Sequence, residues 1–179
     1  MTTALLIIDV QCSLTTGTWE VFESRRVIDR INHVSRTARA AGVPVIVVQH
    51  EAAGGPMTFQ ADGWQLDPEL EVAAIDIPLR KTGSDAFHNS ELQTVLQSHG
   101  VTALIVCGMQ SDLCVDSTIR RALALGYPVT LVADGHTTMD NAVLSAAQIS
   151  AHHAVTWSSL DSYGPRVRAV PASELRIEP

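Results

Sequence analysis

Leu104-Ile-Val-Cys-Gly-Met-Gln-Ser-Asp-Leu-Cys114-Val-Asp-Ser-Thr118 passes from a strand composition to a helical one within a few residues. The apolar run of residues 101–107 reads as a strand covered on both faces. Residues 113–125 then read as a helix, stopped by Gly126. The same alternation continues in both directions. Residues 4–8 are Ala-Leu-Leu-Ile-Ile and end in Asp9, a second buried-strand pattern. Val27, Ile31, Val34 and Ala38 recur at helical spacing up to Gly42, and residues 43–48 form the next strand. Residues 75–81 read as a short strand that Pro78 places near an edge. A helix capped by Asn89 or Ser90 runs to Ser98. Residues 129–133 predict a strand, 141–152 a helix and 154–157 a last short strand. Strands and helices alternate without a repeat or a linker. The economical reading is one α/β domain over residues 1–179, a three-layer sandwich with a mostly parallel sheet.

Bulk properties narrow the function. The chain has 179 residues, 46% apolar and 17% charged, as befits a domain with one sizeable core. No apolar run approaches the roughly 20 residues that span a bilayer. The first residues lack a basic region and meet Asp9 too early for a signal peptide. A net charge of −7 argues against binding nucleic-acid phosphates, and the arginine pairs at 25–26 and 120–121 read as solvated helix faces. Three cysteines, at 12, 107 and 114, give an odd count without metal spacing, which fits free thiols in a reducing, cytoplasmic compartment. Residues 51–68 form a long loop of the kind that walls a pocket.

In open parallel sheets ligands bind beyond the carboxyl ends of the strands, near the reversal of strand order. Asp9 ends the first strand, His50 follows the second, Lys81 ends the third and Cys114 follows the fourth. Asp134 and His136 follow the fifth. At a helix start, Cys114 has backbone amides and a dipole that favour a thiolate, and N–H groups that can hold an oxyanion. Alone, it reads equally well as a buried apolar residue. An ordinary thiol is only a few per cent ionised at neutral pH and needs a proton acceptor. A carboxylate can take that proton, a lysine can steady the anion, and the acid can pass its proton to a leaving nitrogen. Singly, Asp9 reads as a turn cap and Lys81 as a surface charge; at successive strand ends the three read as one site.

Leu5-Leu-Ile-Ile-Asp9-Val-Gln11, Lys81-Thr-Gly-Ser-Asp-Ala-Phe87 and Cys107-Gly-Met-Gln-Ser-Asp-Leu-Cys114-Val-Asp-Ser-Thr118 resemble, in order and spacing, the isochorismatase-like cysteine hydrolase family. The similarity continues through Arg120-Arg-Ala-Leu-Ala-Leu-Gly126 and Val132-Ala-Asp-Gly-His-Thr-Thr138. The resemblance implies a six-stranded, Rossmann-like α/β sandwich. It implies Cys114 as nucleophile, Asp9 as general base and acid, and Lys81 as the electrostatic partner of both. It also implies a cis peptide between Met109 and Gln110 that turns the N–H groups of Gln110 and Cys114 toward an oxyanion. The reaction it implies is hydrolysis of a carbon–nitrogen bond in a small amide, ureide or carbamoyl compound through an acyl-enzyme, without a cofactor, in a homodimer or homotetramer.

Departures from the family pattern narrow this further. Members that hydrolyse isochorismate lack the cysteine, so Cys114 argues against vinyl-ether chemistry. Nicotinamidases of the family carry an Asp-x-His metal motif after the second strand; here the chain reads Gln49-His50-Glu51. No metal site is expected, since two ligands rarely close a site, a divalent ion held by His50 and Glu51 being the alternative. A nicotinamidase-type enzyme and a non-catalytic binding member remain the alternatives. Cys12-Ser-Leu-Thr stands where a phenylalanine is usual, with Leu14 partly filling its place. Gln11, His50, Trp64 and Phe87 are the candidates for substrate contact, with His88 behind them. Cys107 and Cys12 read as structural, as do Asp134 and His136 unless they support a neighbouring subunit. His152 and His153 read as a helix end. Residues 156–179 wrap either the domain's own surface or a neighbour.

Overall fold

Six apolar segments pair into one sheet in the computed structural model, which describes residues 2–16 and 19–177. They are β1 (Thr3–Ile8), β2 (Val45–His50), β3 (Ile77–Lys81), β4 (Ala103–Met109), β5 (Val129–Thr137) and β6 (Val167–Val170). Every pairing is parallel, and the strand order is β3-β2-β1-β4-β5-β6. The chain therefore builds outward from β1 to β3, returns to lay β4 beside β1, and builds outward again. The reversal between β1 and β4 is where such sheets bind ligands. Pro78 lies on edge strand β3, where a missing N–H costs least.

Both faces of the sheet are covered, which explains why its strands read as unbroken apolar runs. Successive side chains alternate between faces. Leu5 and Ile7 pack on α2 (Ser24–Ala40), which buries Val27, Ile28, Ile31, Val34 and Ala38. Ala4, Leu6 and Ile8 pack on the opposite layer. That layer is made by α3 (Leu92–Ser98), α4 (Asp116–Ala124) and α5 (Ala146–Ser159). Ile28 and Ile31 are fully buried, and each contributes about 1.5–3 kcal/mol by leaving water. A short helix, α1 (Cys12–Thr15), follows β1.

The chain departs from the sequence reading after β5. No strand forms at 154–157: α5 runs through those residues because Ile149, His153 and Trp157 stack on one side of a helix. Trp157 is fully buried, and its indole N–H donates to Asp116 Oδ1 at 2.7 Å. That tertiary anchor overrides the strand preference of Val155 and Thr156. The helix begins after Ser145, whose hydroxyl and Gln148 form a capping box, and not at Asn141. The sixth strand is β6, and beyond it Ala172 and Leu175 are buried in the α2 layer. The C-terminal segment thus wraps the domain's own core.

β5 is also longer than read. Leu131 pairs with Val106 and His136 with Gly108, so residues 132–135 bulge opposite Cys107 alone. Asp134 and His136 consequently lie within the strand, not beyond it. Asp134 accepts from the Ala172 N–H at 2.7 Å and pairs with Arg30 at 3.2 Å, fastening the C-terminal turn.

Gly108 sets the spacing at the reversal point. Its φ is +122°, and a Cβ there would lie 2.1 Å from the Ile8 carbonyl oxygen and 2.6 Å from the Ile8 nitrogen. Neither backbone atom can move without parting β1 from β4. Gly108→Ala is expected to destabilise the fold by about 3 kcal/mol or more, read from urea unfolding. An unchanged midpoint would show that this approach is not a constraint.

Candidate active site

Three strand ends and one turn deliver the polar groups to the reversal point. Asp9 leaves β1 in the left-handed region, at φ 53°, with its N–H donating to the Val48 carbonyl at 2.9 Å. Such a backbone is uncommon outside glycine and tolerated best by Asn and Asp. His50 is the last residue of β2, and Lys81 the last of β3. Cys114 lies in a π-helical turn, Ser111–Val115, that joins β4 to α4. In this widened turn the Gln110 carbonyl accepts both the Leu113 and Val115 N–H groups, each at 3.1 Å. The Met109–Gln110 peptide that precedes it is cis.

Lys81 is the chain's single lysine, and its side chain is wholly buried. Its Nζ stands 2.8 Å from Asp9 Oδ2, 3.0 Å from the Gly83 carbonyl, 3.2 Å from Cys114 Sγ and 3.4 Å from His50 Nδ1. An ammonium has three N–H donors for these four neighbours. The Asp9 contact is an ion pair without hydrogen-bond alignment, and neither carboxylate oxygen has a hydrogen-bond partner among the described residues. The carboxylate thus keeps its acceptor capacity.

Electrostatics follow from burial. Burial pushes the Cys114 thiol up to about 12; Asp9 acts in the same direction and Lys81 against it. Burial would lower Lys81, but Asp9 and Cys114 outweigh it and hold the ammonium above its ordinary range. Burial, then the charge of Lys81, lowers His50. His50 is therefore neutral, with Nδ1 facing the ammonium and the proton assigned to Nε2. The resting cluster is an ion pair beside a neutral thiol. Losing the thiol proton to solvent would leave a net negative charge in a buried place. Passing it to Asp9 conserves the charge of the cluster.

Asp9, His50 and Cys114 bring one donor atom each within 4.8 Å of one another, a spacing that would suit a metal cation. Lys81 Nζ touches all three residues, so a buried positive charge already stands against that set. The carboxylate of Glu51 is engaged by Arg80 at 2.6 and 2.9 Å and adds no free ligand beside His50.

A cavity of about 340 Å³ opens over the cluster, lined by Asp9, His50, Ser84, Gln110, Cys114 and the side chains of Leu14, Trp19, Met57, Leu113 and Met139. Leu14 is a wall, as its place in the sequence suggested, and Met57 comes from the long loop. Trp19, Met57 and Met139 escaped the sequence reading. Met139 follows the end of β5 and could have been found by the strand-end rule; Trp19 and Met57 lie in irregular segments that carry no periodic signal.

Other candidates are placed elsewhere. Gln11 is buried, and its amide spends both ends on backbone: Oε1 accepts from the His50 N–H at 2.8 Å, and Nε2 donates to the His50 and Trp64 carbonyls at 3.0 and 2.8 Å. It pins the loop to the sheet. The Trp64 ring packs edge-on against Phe59 and does not line the cavity. Phe87 stacks on Tyr127 in the helical layer, and His88 is exposed beside Asn89. Cys107 is fully buried, and Cys12 is half-buried with its thiol donating to the Leu66 carbonyl at 3.5 Å.

His136 does not reach the cavity either, but it braces the turn. Its Nδ1 lies 2.8 Å from Ser111 Oγ, which is 3.0 Å from Ser150 Oγ on α5. Thr138 donates to Asp112 Oδ1 at 2.5 Å. The two residues that lead into Leu113–Cys114 are thereby tied to the end of β5.

Residues 3–158 match the Isochorismatase domain model. The chain belongs to the isochorismatase family. It is 36% identical to streptothricin hydrolase of Streptomyces noursei over 94% of its own length and 64% of that protein's. It thus spans less than two thirds of that relative. Ureidoacrylate amidohydrolase of Pseudomonas savastanoi pv. phaseolicola is 29% identical over 90% of this chain and 82% of its own. The crystal structure of an isochorismatase from Pseudomonas putida KT2440 superposes with a TM-score of 0.87, at 32% identity over 96% of this chain and 89% of that one.

The brace has a pH signature. Burial, then the charge of His153, lowers His136 to about 4. In the unfolded chain its pKa is near 6.5, so between pH ~6.5 and ~4 the unfolded state binds a proton that the folded state does not. Its contribution is complete above that window and is lost as pH falls through it. The loss from this group is expected to be about 2–3 kcal/mol, read by urea unfolding at stepped pH. His136→Gln should flatten the slope in that window. Parallel slopes for the two proteins would clear His136 of the effect.

Proposed function

We propose that this protein is a cysteine hydrolase that cleaves a carbon–nitrogen bond of amide, ureide or carbamoyl type in a small molecule. One observation carries the reading: a buried ammonium, that of Lys81, touches both a carboxylate and a thiol on the floor of a cavity. Cys114 Sγ attacks the carbonyl carbon as its proton passes to Asp9, so no free thiolate needs to stand at rest. The Lys81 ammonium keeps its contacts as negative charge moves from carboxylate to sulfur. The carbonyl oxygen takes up charge against the backbone N–H groups of Gln110 and Cys114, the oxyanion donors in this reading. Collapse of the adduct breaks the carbon–nitrogen bond, and Asp9 returns the proton to the departing nitrogen. A water then gives a proton to Asp9 and its oxygen to the thioester carbon. The carboxylic or carbamic acid leaves, and the thiol regains its proton from Asp9.

The cavity supports a small acyl group: apolar walls from Leu14, Met57, Leu113 and Met139 surround few polar atoms. His50 Nε2–H and Ser84 are the polar groups left to orient it. A hydrolase and an amidohydrolase among the relatives favour the carbon–nitrogen bond over a vinyl ether. A purely binding role is disfavoured, because burying a lysine, a carboxylate and a thiol together is costly and a binding site needs none of them.

Cys114→Ala is expected to lower kcat by at least about 1,000-fold against a panel of carbamoyl amino acids, ureido acids, lactams and nicotinamide, with the thermal unfolding curve kept. Substantial residual amidase activity in that variant would sink the mechanism. Activity should also survive exhaustive chelation; loss with rescue by added zinc would replace the Lys81 cluster with a metal site.

A further inference from the structure

A second cavity, of about 490 Å³, lies beside the first, and Trp19 lines both. Its other walls are Cys12, Ser13, Thr16, Pro56, Asp62 and Gly63. Three features mark it as more than a surface dent. Ser13 is 8% exposed, and its hydroxyl has no hydrogen-bond partner among the described residues. A buried hydroxyl left unmatched costs free energy that a ligand acceptor or donor would recover. The hydroxyl is held against the loop by the absence of a side chain at Gly63, where a Cβ would lie 2.1 Å from it. Asp62, on the turn Asp62–Trp64, is exposed and makes no ion pair among the described residues. At Cys12, burial first and then Asp67 push the thiol up, Arg25 opposes them, and Asp62 adds a smaller push in the same direction as Asp67.

We infer that this cavity is the subsite for the part of the substrate remote from the scissile bond, and that it takes an ammonium group on a flexible arm. A carboxylate at the mouth, the half-exposed face of Trp19 and an unmatched hydroxyl in the wall form a cation-recognition set. The continuous wall at Trp19 lets one molecule occupy both cavities. This inference rests on reading the neighbouring cavity as the catalytic one, and its test is kept separate from turnover.

Cys12 supplies the readout, because it lines the second cavity while Cys114 lines the first and Cys107 is fully buried. The Cys114→Ala protein is alkylated with iodoacetamide and the rate at Cys12 followed by peptide mass spectrometry. The probes are the Nα-acetyl amides of ornithine and lysine, against the uncharged norvaline and norleucine compounds. The charged probes are expected to slow alkylation of Cys12 about fivefold, and the uncharged ones less than about twofold. Asp62→Asn should remove the difference while its unfolding curve stays unchanged, since Asp62 is exposed. Equal protection by charged and uncharged probes, no protection by either, or full protection in Asp62→Asn would each overturn the assignment. Failure of the catalytic reading would appear instead in the turnover of Cys114→Ala, which this labelling does not measure.

Discussion

A charged pair that water cannot reach organises this molecule. Lys81 and Asp9 are both almost completely buried, and removing either partner of such a pair typically costs about 3–5 kcal/mol because the other charge is stranded. Such a pair is tolerated only where every remaining donor finds an acceptor. Here the Gly83 carbonyl, the Cys114 sulfur and the His50 ring supply them. The pair links β1 to the edge strand β3 across β2, and through the sulfur to the turn after β4. A single ammonium thus joins the ends of three strands and a helix approach.

The geometry it needs comes from the backbone. β1 and β4 can lie close enough only because Gly108 has no side chain, and the turn after β4 is widened by sharing one carbonyl between two N–H groups. Side chains from the end of β5 and from α5 then hold that turn at its first two residues. The groups nearest the chemistry are therefore fixed by residues that never face the cavity. Such support is what sets a reactive geometry to within a fraction of an ångström.

Legibility in the sequence followed the physics of each element. The strands β1, β2 and β4 were readable because burial on both faces leaves an unbroken apolar run, and Pro78 marked the edge. Asp9, Lys81 and Cys114 were readable as a group because a polar or reactive residue at or just beyond a strand end falls on the sheet rim. The segment at 154–157 was misread because Val155 and Thr156 favour strands, and the deciding contact, Trp157 on Asp116, spans 41 residues. β6 was missed because it is four residues long and exposed along much of its length. Trp64 and Phe87 were placed near the cavity by position alone; each found an aromatic neighbour instead. The cavity walls Trp19 and Met57 left no trace, since loops carry no period to betray which way a side chain points.

The solitary lysine has a consequence for how this protein meets its surroundings. All its other basic side chains are arginines, apart from the histidines, so the fixed positive charge of its surface is carried by guanidinium groups alone. Guanidinium stays protonated throughout the accessible alkaline range and is a poor nucleophile, whereas amines are acylated readily. The only side-chain amine is sealed beneath the Cys114 sulfur. Reagents that acylate lysines therefore find no lysine on the exterior, and whatever modification they leave at Lys81 counts how often the interior opens.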